Sequence, residues 1–322
     1  MRLAYLQQRE MRGLLALLLA LAACVAAAQE KYPSRPIEFI VPWGPGGGAD
    51  QVARKSGKMM EEDLKVSFPV VNVPGATGNT GMAKLLAAPA DGYSISVMTW
   101  DTYALLATTN TRWSLKDIIP VALMIKQPSA FLSATNSNLK TWADVEREAK
   151  ARPLKVAITG FGSPDDITVN FFVARGLKLI AVPFANPGER YTSVLGGHAD
   201  LLYEQLGDVR SFLDSKQIQP VIIFAAKRFG AFPDVPASKE LGYDITLPQR
   251  RAVIVKAGTD PAKVKVISEA LAKVAASAEY KAYLQEQYAT DDSYFPAQDA
   301  AKIMEEDLDQ MKRIAGQTPA KK

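Results

Sequence analysis

The chain has 322 residues, 48% of them hydrophobic, enough for a sizeable core. Its net charge of +4 is weak and interspersed, and half of it sits at the start (Arg2, Arg9 and Arg12 against Glu10), which argues against nucleic acid and against a polybasic membrane surface. One cysteine (Cys24) and one histidine (His198) leave no material for a disulfide framework or a His/Cys metal centre.

The basic start, an apolar run over 14–25 and the small residues Ala26, Ala27 and Ala28 have the layout of a secretory signal, so 1–28 is expected to be a signal peptide. The run is short for a bilayer span, which takes about 20 apolar residues. Leu21-Ala22-Ala23-Cys24 also has the form of a lipobox. Two readings therefore stand: ordinary cleavage after Ala28, or a lipid-anchored form held through Cys24. The remainder is long enough for about two domains.

Strand and helix patterns then alternate. Residues 37–41 read as a strand, the loop 42–49 ends it, and Asp50 is placed as N-cap of a helix burying Val52, Ala53, Met59, Met60 and Leu64. A strand at 68–73, a glycine turn, a helix at 79–87, the turn Pro89-Ala90-Asp91-Gly92 and a strand at 93–98 follow. Strand patterns at 121–124 and 130–133 flank a crossover. Helices at 141–150 and 165–174 alternate with strands at 155–159 and 178–184; 189–195 and 200–203 repeat the alternation. Apolar strands at 218–224 and 251–256 precede closing helices at 261–276, 278–287 and 297–314. Such alternation predicts an α/β protein with parallel, helix-covered sheets, whose ligands sit where strands end and helices begin.

Three of those junctions are rich in glycine: 43–50, 72–79 and 160–165. Glycine lets backbone N–H groups approach a ligand, and a helix start adds positive potential, a combination suited to a carboxylate. None is a P-loop or a dinucleotide fingerprint.

The run Tyr32-Pro33-Ser34-Arg35-Pro36-Ile37, then Val41-Pro42-Trp43-Gly44-Pro45-Gly46-Gly47-Gly48-Ala49-Asp50, resembles the opening of Bug proteins, the solute receptors of tripartite tricarboxylate transporters. Further matches are Asn72-x-Pro74-Gly75-Ala76-x-Gly78-Asn79-x-Gly81, Pro89-Ala90-Asp91-Gly92-Tyr93, Gly160-x-Gly162-Ser163, Val182-Pro183-Phe184, Leu195-Gly196-Gly197-x-Ala199-Asp200 and Phe232-Pro233-Asp234-Val235-Pro236. They cover nearly the whole exported chain in order. The resemblance implies a type II-like periplasmic binding protein fold with two α/β lobes, a ligand cleft and two hinge crossovers. By position, lobe one is 29–127 plus 246–322 and lobe two is 128–245. It implies a periplasmic monomer that captures a small carboxylate (dicarboxylate, tricarboxylate, aromatic acid or amino acid) and meets membrane transporter subunits transiently, without a cofactor, metal or nucleic acid. Presenting the solute to a membrane sensor kinase is the alternative.

The resemblance and the loops together place at the ligand Trp43, Pro45, Gly46, Gly47 and Asp50; Gly75, Ala76 and Asn79; Thr99, Asp101 and Thr102; Gly162, Ser163 and Asp166; Tyr203 and Glu204; and Arg250, a candidate clamp on a second carboxylate. Asp166 stands where the family often has histidine and Glu204 where it often has aspartate, while Asp101 adds a third acid. Either these add negative charge around a ligand with a cationic or donor-rich group, or they cap helices and pair with Arg250 or Arg251. An enzyme is not expected: His198 is a lone loop histidine, and neither Gly-x-Ser-x-Gly nor His-Glu-x-x-His occurs.

Overall fold

The computed structural model describes residues 31–109 and 111–317. The signal-like segment 1–28, with Cys24, lies outside them. In chain order β1 (Glu38–Val41), α1 (Gly48–Leu64), β2 (Val70–Asn72), α2 (Asn79–Ala87) and β3 (Ser94–Thr99) come first. Two one-turn helices, α3 (Trp100–Tyr103) and α4 (Leu105–Thr108), lead to the long strand β4 (Ile118–Gln127). Pro128 alone separates β4 from β5 (Ser129–Ala134). Then follow α5 (Trp142–Ala151), β6 (Leu154–Ile158), α6 (Pro164–Val173), β7 (Leu179–Pro183), α7 (Pro187–Leu195), β8 (Leu201–Gln205), α8 (Arg210–Asp214) and β9 (Ile218–Ile223). The chain closes with β10 (Gln249–Lys256), α9 (Pro261–Ala276), α10 (Ala278–Glu286), β11 (Phe295–Pro296) and α11 (Ala297–Gly316).

The strands form two sheets, one per lobe, ordered β11-β4-β10-β3-β1-β2 and β7-β6-β8-β5-β9. The sheets are mixed rather than wholly parallel. β1 runs parallel to β2 and β3, but β10 is antiparallel to both β3 and β4, and β5 to both β8 and β9. The rule that makes βαβ strands parallel applies to strands joined by a helix lying on their own sheet. β5 and β10 instead enter their sheets from the other lobe, so nothing forces them to align. The two crossover segments are tied where they pass, Ser129 Oγ donating to Leu247 O at 3.2 Å.

Both sheets are buried on both faces. In the first, Phe39, Val41, Val253 and Val255 face a cluster with Val52, Met60, Ile267 and Tyr280 from α1, α9 and α10. Their neighbours Ile40, Ala252 and Ile254 face Met82, Leu85, Met304 and Met311 from α2 and α11. Alternate residues of a strand point to opposite faces, so a doubly covered strand reads as an unbroken apolar run. In the second lobe Phe131 is the centre of an aromatic cluster with Trp142, Phe172, Tyr203 and Phe224, ring centroids 5.0–6.1 Å away. Helix starts follow sequence signals: Thr141 and Asp144 form a capping box on α5, and Pro164, Pro187 and Pro261 open α6, α7 and α9 after Ser163, Asn186 and Asp260 caps. Among the described residues no helix is long and apolar enough to cross a membrane.

Candidate ligand-binding site

The loop after β1 is folded by its own acid. Gly46 adopts φ +85°, which a side chain would strain, and its N–H donates to Asp50 Oδ2 at 3.0 Å. Arg54 Nε and Asn72 Nδ2 also donate to Asp50, at 2.9 and 3.0 Å. Burial pushes the Asp50 carboxyl up, but the hydrogen bonds from Arg54, Gly46 and Asn72 outweigh it and hold the group below the usual aspartate range. Asp50 is therefore not the N-cap of the helix. α1 begins two residues earlier, with Gly47 as N-cap and no side chain to take the first N–H groups. Those donors stay at a helix start where Gly47, Gly48 and Ala49 line a cavity.

The second lobe repeats the device. Gly162 has φ +81°, and its N–H donates to Asp166 Oδ2 at 3.0 Å. Ser163 caps α6 by accepting from Asp166 N and donates its hydroxyl to Gly160 O at 2.7 Å. Asp166 Oδ1 accepts from Asn170 Nδ2 at 3.0 Å. These bonds of Gly162, Ser163 and Asp166 fold the loop.

Between the lobes lies the cavity, about 20 Å³ of space open to the centre of a water molecule, room for one water or so. Trp43, Gly47, Thr99 and Asp101 from the first lobe and Thr159, Arg190, Tyr191, Glu204 and Asp208 from the second are among its lining residues, together with Arg251 of β10. Two buried ion pairs dominate it. Arg190 pairs with Glu204, their side chains 5% and 3% exposed, and Arg251 pairs with Asp208 across the lobes at 3% and 2%. Arg251 also donates to Gln127 and Gln205, and Gln127 Nε2 donates to Asp208 Oδ1 at 3.1 Å. Burial works against the Arg190 charge, but Glu204, with Tyr191 and Asp165 adding to it, outweighs burial and raises the pKa. Glycine is required where the lobes meet: a Cβ on Gly48 would lie 2.3 Å from Arg251 Nη2 and Asp208 Oδ2, and one on Gly47 would lie 2.8 Å from Pro187 Cγ.

Asp101 is held differently. Gln249, the first residue of β10, donates Nε2 to Asp101 Oδ2 at 2.6 Å and accepts from Trp100 N at 2.8 Å. Oδ1 of Asp101 has no hydrogen-bond partner. Asp165 accepts from Thr159 N and Thr159 Oγ1 at 2.7 and 2.6 Å through Oδ2, and its Oδ1 is likewise unpartnered. Burial raises both carboxyls; Glu204 adds to the rise at Asp101, and Asp101 to the rise at Asp165. Tyr191 Oη and Arg251 Nε at the same cavity also lack partners.

Of the residues expected at the ligand, Trp43, Gly47, Thr99, Asp101 and Glu204 come together here. Trp43 Nε1 donates to Thr99 Oγ1 at 2.9 Å. Pro45 and Gly46 lie exposed beside the cavity. Thr102 backs Gly78, whose added Cβ would meet its Oγ1 at 2.0 Å. Ala76 and Asn79 line a separate surface groove with Trp113, whose Nε1 donates to Asn79 Oδ1 at 2.8 Å, and Gly75 turns the loop before them at φ +132°. Tyr203 stacks on Phe224 in the second-lobe core. Arg250 faces away, donating Nε to Asp307 Oδ2 of α11 at 2.9 Å, while the next residue of the strand, Arg251, enters the cavity. Arg190, Tyr191, Gln205, Asp208 and Thr159 were not anticipated. Asn186-Pro187 is a helix-start signal just before Arg190, at a junction with too little glycine to stand out. Among the described residues no group of three or more His, Cys, Asp or Glu side chains is arranged to hold a metal ion.

The sequence model of the tripartite tricarboxylate transporter family receptor matches residues 52–318. The chain belongs to that family. BugT of Bordetella pertussis is 29% identical over 250 residues, 75% of this chain and 76% of BugT. MatC from Rhodopseudomonas palustris with bound malate superposes with a TM-score of 0.81 at 21% identity, covering 88% of this chain and 100% of MatC. A second R. palustris protein, with adipate, gives 0.82 at 22%, covering 90% of this chain and 100% of the other. Family and fold are those of solute-binding receptors, with the two-lobe architecture of periplasmic binding proteins.

Proposed function

We propose that this receptor captures a small carboxylate-bearing solute in the interlobe cavity outside the cytoplasm and delivers it to the membrane subunits of a tripartite tricarboxylate transporter. The observation that carries this reading is the conjunction of the uncapped α1 start at Gly47, Gly48 and Ala49 with the buried guanidinium of Arg251, on a cavity closed by both lobes. A helix N-terminus and an arginine are the two standard recognition elements for a carboxylate. The malate and adipate carried by the two R. palustris proteins are both dicarboxylates, in keeping with this chemistry. The lobes are taken as 29–127 with 246–322 and 128–245, because β1–β4, β10 and β11 share one sheet and β5–β9 the other.

The present cavity is too small for such a solute, so uptake begins with parting of the lobes and opening of the Arg251–Asp208 pair between them. Arg251 then re-pairs with the solute, and the lobes close again. Capture and hand-over are the whole of the role in this reading, in keeping with a family of receptors. A thermal-shift screen of the purified protein against dicarboxylates, tricarboxylates, aromatic acids and amino acids tests the reading. A native-state ligand at about a hundredfold over its Kd stabilises by about 2.7 kcal/mol, so one class should raise Tm by several degrees. No shift with any carboxylate would sink it.

A further inference from the structure

The cavity and its rim hold more buried carboxylates than bonded cations. Glu204 has Arg190, Asp208 has Arg251 and Asp50 has Arg54. Asp101 and Asp165 remain, 6% and 1% exposed, and no cationic side chain bonds to either. They come from opposite lobes: Asp101 sits in α3, Asp165 in the first turn of α6, and the two helices pack on one another. Asp101 lines the cavity with a bare Oδ1, and Asp165 bonds to Thr159, which lines it too. The same cavity offers the opposite chemistry at the α1 start and at the bare Nε of Arg251.

Resting on the carboxylate-receptor reading above, we propose that the captured solute is an amino-carboxylate, its ammonium group bonded by Asp101 next to the Thr159–Asp165 pair and its carboxylate seated at the start of α1 beside Arg251. An unpaired buried carboxylate is costly, and a bonded cation removes that cost where a neutral hydroxyl only reduces it. A plain dicarboxylate would bring two further negative charges to a cleft already in acidic excess, whereas a zwitterion brings none. An ammonium suits the confined space better than a guanidinium: it is compact, with three donors on one atom.

Matched triplets differing only at one substituent test this on the full chain: glutamate, 2-hydroxyglutarate and glutarate; aspartate, malate and succinate; and γ-aminobutyrate, 4-hydroxybutyrate and butyrate. Calorimetric titration should show the amine-bearing member of at least one triplet binding tenfold or more tighter than its hydroxyl and unsubstituted partners. In Asp101→Asn that ratio should collapse toward one. Equal or tighter binding of the unsubstituted or hydroxylated acids by the natural protein overturns the inference and leaves the receptor reading standing, a comparison that needs no variant. An amine preference that persists undiminished in a folded D101N protein overturns the assignment to Asp101. No binding by any member, together with a flat carboxylate screen, removes the receptor reading and this inference with it.

Discussion

Burial takes water from Asp101 and Asp165 without giving either a bonded cation, and the consequence is a pH dependence of the ligand-free protein. Both carboxyls hold their protons more tightly in the folded chain than in the unfolded one, where aspartate titrates near pH 4. Their contribution to stability is therefore fully present below the unfolded pKa and is lost as pH rises through the raised folded values. The chain has a single histidine, so few other side chains titrate between pH 5 and 8. Asp165→Asn keeps an acceptor for Thr159 and removes the charge. The variant should melt several degrees above the natural protein at pH 7.5, and the gap should narrow as pH falls toward 5. Thermal melts across that range, without ligand, decide it; a gap independent of pH would mean that Asp165 carries no tightly held proton or charge penalty.

Elements with a strong period or a cap were legible in the sequence. α5, α6, α9, α10 and α11 were expected within a few residues of where they lie, since Thr141, Ser163-Pro164, Asp260-Pro261 and Ser277 mark their starts. The short helices α3, α4 and α8 escaped because four or five residues establish no period. At the site, glycines announced the loops because positive φ at Gly46 and Gly162 leaves little alternative. Of the charged residues that fill the cavity, Asp101 and Glu204 were expected, but Arg190 and Asp208 announced nothing: each looks like any surface residue until the lobes close over it. Arg250 and Arg251 show the limit of resolution, because one step along β10 changes the face and so the role. The element on which the second lobe depends is β5, where Phe131 is 0% exposed and touches four aromatic rings. Phe131→Ala leaves a cavity among rings that cannot collapse far, at a cost of about 3–5 kcal/mol. Urea unfolding should register that loss in the midpoint; a change under about 1 kcal/mol would show that the cluster repacks freely.

At the scale of the whole molecule, the proposed receptor function reduces to an equilibrium between parted and closed lobes, and a solute shifts it only through contacts that the closed form alone provides. The closed lobes also touch directly, away from the cavity. Thr77 Oγ1 donates to Phe161 O at 3.2 Å and Thr108 Oγ1 to Gly162 O at 2.9 Å, each linking the first lobe to the glycine loop of the second. Neither threonine lines the cavity, so changing them alters closure without altering the ligand's own contacts. Each bond contributes about 0.5–1.5 kcal/mol net. Thr77→Val with Thr108→Val should therefore weaken the closed state by about 1–3 kcal/mol, provided the two contributions add. If the closed form is the minor one without ligand, apparent affinity falls by the same factor, about five- to 160-fold, because binding must first supply the competent state. The loss should appear as faster release, with association little changed, since the latches form after encounter. Stopped-flow release and small-angle scattering of the ligand-free and saturated protein separate the cases. Faster release with an unchanged saturated radius of gyration marks the threonines as latches on closure. An unchanged release rate would put the free energy of ligand-bound closure in the cavity, and above all in the contacts that Arg251 makes there.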